Sequence, residues 1–240
     1  MLAFDRQQLA NAGPGYRLVG VDEVGRGALA GPVTAAAVSL DTTCFTGAWE
    51  WPTCQRVDDS KKLSPAQRQA IAAEIEGLKR DGYLHGEVGM ASVAEIEEYN
   101  IVGATCLAMS RALAALEQAL QLPVPLPRYS PLPLLDRALL AKPGVGQSRV
   151  CILVDGRPMK ALPYIHRGIV RGDNQSLSIA LASIYAKVTR DAYMICLDEE
   201  HPHYGFAAHK GYGTPFHRRA ITELGRLPHH RAQFLCWLSP

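Results

Sequence analysis

The sequence predicts an α/β fold: a mixed β-sheet flanked by helices, with a helical C-terminal extension. Three observations carry that expectation. Short β-type runs open the chain and recur at Val150–Asp155, well-capped helical stretches lie between and after them, and from about residue 199 onward the signals are helical. No internal repeat is present, and the 240 residues read as one unit, 1–240, with a core to about 198 and a helical part over about 199–240.

Taken in order, Arg17–Asp22 (RLVGVD) reads as a short strand that ends in charge. Gly31–Leu40 (GPVTAAAVSL), bounded by Gly-Pro, reads as its neighbour, and Tyr83–Gly89 as a third strand, so the opening meander implies antiparallel pairing. Ser64-Pro65-Ala66-Gln67 supplies an N-cap serine, a proline at the first helical position and a glutamine able to close a capping box. Ser92-Val93-Ala94-Glu95 repeats the pattern, and Ile101–Gln121 is Ala/Leu-rich with helical spacing. Two stretches read as insertions: Thr42–Val57, with Trp49 and Trp51, and the proline-rich Pro123–Gly146, a long surface loop. Val150–Asp155 (VCILVD) is a buried-type strand and Ile169–Asp173 a short one. From Gln175 to about Leu197 a long helix places Leu177, Leu181, Ile184 and Val188 on one face, and Thr214 caps a last helix.

Bulk properties exclude several classes. With 48% hydrophobic and 20% charged residues the chain is an ordinary globular one, and a net charge of +2 rules out a pervasive basic surface. Binding of nucleic acid would have to rest on local clusters. Arg157, Lys160, Arg167 and Arg171 are the only charges between Asp155 and Asp173, and beyond His201 the cations Lys210, Arg218, Arg219, Arg226 and Arg231 face only Glu223. The six cysteines are scattered without a CxxC pair, which points to reduced, buried thiols; a Cys44–Cys54 pairing is the oxidised alternative. Asp5 and Arg6 stand where a signal peptide needs its apolar core, and no run approaches the ~20 apolar residues of a membrane span. A soluble, cytoplasmic chain that needs no oligomer and no membrane is expected. His201, His203, His209, His217, His229 and His230 lack cysteine partners at ligand spacing, so they read as a basic, hydrogen-bonding surface rather than a zinc site.

Four acids stand out by position: Asp22 and Glu23 end the first strand, Asp155 ends VCILVD, and Asp173 lies between a short strand and the long helix. Carboxylates at strand ends can converge, and a cluster of them repels itself unless protonated or neutralised by a cation. Oxygen-only ligands select a hard ion, Mg²⁺ or Mn²⁺. Neighbours on a regular strand face opposite ways, so Asp22 and Glu23 should not share an ion unless the strand bends toward Gly25 and Gly27 or Glu23 uses its backbone carbonyl. For any one acid alone a cap or turn role is the better reading, Asp173 as N-cap of the long helix included.

The pattern as a whole resembles ribonuclease HII. The matching blocks are VGVDEVGRGALAGPV (Val19–Val33), DDSKKLS (Asp58–Ser64), LVDG (Leu153–Gly156), GDNQSLSIALASIYAKVTRD (Gly172–Asp191) and YGFAAHKGYGT (Tyr204–Thr214), in the family's order over nearly the whole chain. The resemblance implies a ribonuclease H-like sheet and an endonuclease that cuts the RNA strand of RNA–DNA hybrids and single ribonucleotides in duplex DNA, leaving 5′-phosphate and 3′-hydroxyl ends. It implies that Asp22, Glu23, Asp155 and Asp173 are the catalytic, metal-binding carboxylates, serving two divalent ions (Mn²⁺ or Mg²⁺) about 4 Å apart, with Asp173 partly positioning water or the second ion. Gly25, Arg26 and Gly27 would form the loop whose backbone meets a 2′-hydroxyl, and Tyr212 would lie against the sugar at an RNA–DNA junction. Ser60 and Lys61 would approach the nucleic-acid backbone, and Ser176, Ser183, Lys187 and Arg190 would follow phosphates along the long helix. Tyr204 is left structural.

The chain departs from the family pattern at Arg171, where lysine is frequent, and in its two insertions. A type HIII relative would carry a further N-terminal domain, for which the twenty-one residues before Asp22 are too few. A different nuclease or integrase on the same sheet would lack GRG and HKGYGT, and an inactive binding module would have lost an acid.

Overall fold

The computed structural model describes residues 1–45, 57, 63–122 and 149–237. Strands β1 (Arg17–Val24), β2 (Val33–Leu40), β3 (Leu84–Ala91), β4 (Val150–Asp155) and β5 (Arg167–Ile169) form one sheet in the order β3-β2-β1-β4-β5. The first three pair antiparallel, with Val21 opposite Ala37 and Val38 opposite Gly86, while β4 runs parallel to β1 and β5 parallel to β4. The sheet is therefore mixed, as expected, with the antiparallel meander on one side.

Helices cover both faces: α1 (Leu2–Ala12), α2 (Pro65–Arg80), α3 (Val93–Ala119) and α4 (Leu177–Glu200), with α5 (Phe206–His209) and α6 (Pro215–Leu224) beyond. The strand pleat sorts the core. Ala35 and Ala37 of β2 point to one side and pack with Met109, Leu113 and Leu116 of α3. Ala36 and Val38 point to the other and pack with Leu177, Leu181 and Ile184 of α4 and Ile71 and Ile75 of α2. Each such leucine or isoleucine contributes about 2 kcal/mol by leaving water. Small residues on β1 and β2 bring the helices close: a Cβ on Gly20 would lie 2.2 Å from the Ser178 backbone, so the start of α4 sits flush against β1. That contact aims α4 across the end of the sheet where the acids lie.

Both capping boxes form. Ser64 accepts from the Gln67 N–H and Ser92 from the Glu95 N–H, with each partner side chain accepting from the cap's own N–H. The second box opens a 27-residue helix that is interrupted at Asn100 (φ 55°), whose side chain accepts from the N–H groups of Val102 and Gly103 and so caps the Ile101 segment afresh. By length and composition α3 would also suit a membrane span, which no apolar run in the sequence had suggested. Its apolar face is spent against the sheet.

Three expectations need correction. Ile169–Asp173 is not a strand: β5 ends at Ile169, Arg171 takes a left-handed conformation, and Gly172–Asn174 forms a 3-10 turn. Ser176 does not face a phosphate; it is buried, caps α4 by accepting from the Ile179 N–H, and exchanges a bond with Ser178. Arg190 is buried too, its guanidinium donating to the carbonyls of Ala30, Pro32 and Lys210. Helix α1 carries no clear signal in the sequence; it docks beside the start of α4 through Asp5, where the Ser178 N–H donates to its carboxylate at 2.9 Å.

The C-terminal part has its own apolar cluster. Tyr204, Phe206, Ala220, Ile221 and Leu235 pack with Met194 and Leu197 of α4 and with Leu29 and Ala30 after β1. Tyr204 is structural as expected, its hydroxyl donating to the Gly225 carbonyl. The expected histidine surface is only partly realised: His203 is exposed and His201, His209 and His229 are half-buried, but two of the six turn inward. His217 and His230 are buried, and the His230 Nε2–H donates to His217 Nε2, because His230 Nδ1 already accepts from the Leu227 N–H. His217 Nδ1–H in turn holds the Tyr212 carbonyl at 3.0 Å. Burial pushes both imidazoles down to about 4, so the chain of bonds is one of neutral rings. Among the described cysteines, Cys44, Cys106, Cys151, Cys196 and Cys236 are free thiols; Cys54, and with it the Cys44–Cys54 alternative, lies outside the described residues. The proline-rich stretch at 123–146 and most of the 42–57 insertion also lie outside them.

Candidate active site

Parallel pairing of β1 with β4 stops at Val21 and Val154. The next residues on the two adjacent strands are Asp22 and Asp155, which places two carboxylates side by side at the C-terminal edge of the sheet, where open α/β sheets form their binding crevices. They line a cleft of about 450 Å³ together with Glu23, Val24, Arg68, Ser183, Lys187 and Tyr212. The alternation problem at Asp22-Glu23 resolves without a break in the strand. Both residues keep regular pairing with Ala36 and Ala35 of β2, and both line the cleft at the point where the β1–β4 pairing ends.

Asp22 is buried, its Oδ1 accepts from the Glu23 N–H at 2.7 Å, and the Ser183 hydroxyl donates to its carboxylate. Burial drives its pKa well above the usual carboxylate range, the charges on Glu23 and Asp155 push it further, and the Ser183 bond opposes them. Glu23 is raised as well, chiefly by burial, against the pull of Arg26, whose guanidinium donates to Glu23 Oε1 at 3.0 Å. Asp155 accepts from the Gly172 N–H at 2.6 Å and the Asp173 N–H at 3.4 Å, so one carboxylate fixes the 3-10 turn that carries another. Asp173 is buried there beside the Asn174 amide, which donates to it at 3.3 Å. It is not the N-cap of α4, and it is not among the described residues lining the cleft. A group of acids held this way fits divalent cations by its donor chemistry: oxygen ligands only, mutually repelling, and partly relieved by a single Ser183 hydroxyl and Arg26.

Around the acids the glycine loop divides in two. Gly25 has φ +89° and a Cβ there would strike the Arg190 side chain at 2.2 Å, so packing demands that glycine. At Gly27 a Cβ would meet nothing within 4 Å, so packing does not explain it, and the loop's edge is open to a ligand. The loop is held from beneath by Arg231, buried, which donates to the carbonyls of Arg26 and Gly31. Arg190 joins Ala30 to Lys210, and its guanidinium lies 5.6 Å from the Tyr212 ring centroid. Two arginines thus lock the GRG and HKGYGT segments into one wall.

Ser183 and Lys187 both reach the cleft, but Ser183 faces Asp22 and Lys187 is paired with Asp191 at 2.7 Å. Ser60 and Lys61 lie outside the described residues. Arg68 of α2 was missed: it lines both the cleft and a second hollow of about 440 Å³ that shares Lys187 and Tyr212. The only sequence signal for it was a basic residue in the first turn after the Ser64 cap, which by itself reads as a solvated helix face.

A mixed sheet with carboxylates gathered at the ends of adjacent parallel strands defines a phosphodiester hydrolase of the ribonuclease H class. The ribonuclease HII family matches residues 19–123 and 138–236. A ribonuclease HII of Rhodospirillum rubrum is 46% identical over 220 residues, 92% of this chain and 84% of that protein. One from Cereibacter sphaeroides is 44% identical over 218 residues, 90% and 83% of the two chains. The crystal structure of the ribonuclease H2 from Pyrococcus horikoshii shares the fold with a TM-score of 0.61 at 20% identity, covering 90% of this chain and 93% of that one. The chain belongs to the ribonuclease HII family. It is an endoribonuclease that hydrolyses RNA paired with DNA and cuts at ribonucleotides embedded in DNA.

Proposed function

We propose that Asp22, Glu23, Asp155 and Asp173 hold two divalent ions, Mn²⁺ or Mg²⁺, and that the surrounding loops select the phosphate next to a ribose. The observation that carries this is the placement of Asp22 and Asp155 on adjacent strand ends, with Glu23 on the same cleft. When bound, such ions lower the pKa of an attacking water and stabilise the departing 3′ oxygen, giving 5′-phosphate and 3′-hydroxyl ends. The chain's own part is positional. Asp155 fixes the turn that carries Asp173, and Ser183 orients Asp22. Backbone groups of Gly25, Arg26 and Gly27 meet the 2′-hydroxyl, and the open edge at Gly27 supports that reading.

Tyr212, partly exposed on the cleft wall and fixed at its carbonyl by His217, stacks on the sugar at the junction. Lys187 and Arg68 take phosphates, and Ser60 and Lys61 extend the same path. Residues up to about 198 supply the catalytic core, and 199–240 close the groove as part of a single unit. The enzyme acts as a monomer in the cytoplasm, off the membrane, a placement supported by its free thiols.

The test is cleavage of three duplexes: all-DNA, DNA with one ribonucleotide, and a full hybrid, each with and without chelator. The last two are cut only with Mg²⁺ or Mn²⁺ and the first not at all. Tyr212→Ala lowers cleavage at the single ribonucleotide far more than it weakens hybrid binding; equal losses refute the junction role.

A further inference from the structure

Outside the cleft, three metal-ligating side chains meet at the C-terminal end of α4. Glu200 is the last residue of that helix and His201 its C-cap, while His229 arrives from the loop after α6. One carboxylate oxygen and one nitrogen from each imidazole all lie within 4.8 Å of one another, and the two rings are tilted with centroids 5.5 Å apart. Ligand atoms on a tetrahedral ion at ~2.1 Å sit about 3.4 Å from each other, so rotamer changes of about an ångström complete the shell. Glu200 is exposed and the two histidines are half-exposed, so those changes cost little.

The backbone beneath is fixed. The His201 N–H donates to the Leu197 carbonyl at 3.1 Å, the Gly31 N–H donates to the His229 carbonyl at 2.9 Å, and His230 next door is buried with both ring nitrogens bonded. The negative end of the α4 dipole adds to the attraction for a cation.

We propose that Glu200, His201 and His229 form a non-catalytic transition-metal site that takes a zinc-class divalent ion, with water as fourth ligand. Two imidazoles and one carboxylate suit zinc, cobalt or nickel, whereas the all-carboxylate cleft suits Mg²⁺ or Mn²⁺, so the two sites sort ions by chemistry. An ion here clips the loop before Arg231 to the end of α4. Arg231 holds the carbonyls of Arg26 and Gly31, so filling the site stiffens the support of the glycine loop.

The test measures zinc occupancy and is independent of the nuclease reading. The full chain carrying Asp22→Asn and Asp155→Asn, with Cys196→Ser and Cys236→Ser to remove exposed thiols, is dialysed against zinc in excess Mg²⁺. One zinc per chain is expected, with affinity falling roughly tenfold or more on His201→Gln or His229→Gln. Both variants should melt like their parent when zinc is absent. Cobalt in place of zinc should give a tetrahedral absorption band that the same substitutions abolish. Absence of zinc binding, or binding indifferent to both histidines, overturns the proposal.

Discussion

Asp22 is a buried carboxylate with Glu23 and Asp155 as neighbours, and this burden makes its neutral isostere informative. Asp22→Asn removes the buried charge and keeps the shape, so without divalent ions the variant should melt above the parent. Added Mg²⁺ or Mn²⁺ should raise the parent's Tm and leave the variant's nearly unmoved. Cleavage should fall by roughly 10²–10³-fold or more for Asp22→Asn and for Asp155→Asn. Activity assays and melting curves on the same preparations read both effects, and a variant that cleaves like the parent would remove the metal-site assignment. At this scale the acids were legible because each ends a recognisable apolar strand or sits in a short motif. Arg68, Arg190 and Arg231 were not. A basic residue on a helix or after a loop looks solvated in sequence, and only the fold shows that Arg190 and Arg231 are buried against backbone carbonyls while Arg68 turns toward the cleft.

Helix α1 shows what element-level reading catches and what it loses. Strong periodic signals and capping boxes made α2, α3 and α4 readable. The apolar residues of α1, Leu2, Phe4 and Leu9, are too few to mark a face by themselves, and its docking depends on Asp5, which sequence patterning treats as polar surface. Burial raises Asp5 to about 6, with hydrogen bonds from Ser176 and Ser178 opposing it. A carboxyl whose folded pKa lies above its unfolded value binds its proton more tightly when folded. Its contribution is complete below the unfolded value of 3.8 and is lost as pH rises through about 6. The loss is bounded by the shift, about 3 kcal/mol. Asp5→Asn should therefore gain on the parent between pH 4 and pH 7, and the protection of α1 amides, relative to their intrinsic exchange rates, should rise in the parent on acidification to about pH 5. The buried His217–His230 pair pushes stability the other way as pH falls, since its low pKa values favour the unfolded chain in acid. For that reason the informative quantity is the difference between Asp5→Asn and the parent, in which the histidines cancel. A flat difference across this range would show that Asp5 is ionised at no cost.

At the scale of the whole molecule, a net charge of +2 on 240 residues leaves little long-range attraction for a polyanion. The described residues place several cations along the cleft. Arg68, Lys187 and Lys210 line the hollow that continues from the acids past Tyr212, and Arg26 stands on the loop opposite. Lys187 is already paired with Asp191 at 2.7 Å, and burial lowers its pKa while Asp191 opposes that shift. If Arg68 and Lys187 each neutralise one phosphate, replacing either with alanine should reduce the slope of log K against log salt by about 0.9, and weaken all duplexes alike whatever their sequence. Arg219 and Arg226, outward on the C-terminal part, serve as controls whose alanine variants should keep the parent slope. Binding measured over a salt series with an uncut, chelator-treated hybrid separates this from chemistry. Should Arg68→Ala lower cleavage while leaving the salt slope intact, Arg68 acts on the acids across the cleft rather than on the backbone of the substrate, and the path of the nucleic acid must run along the other wall, past Arg26.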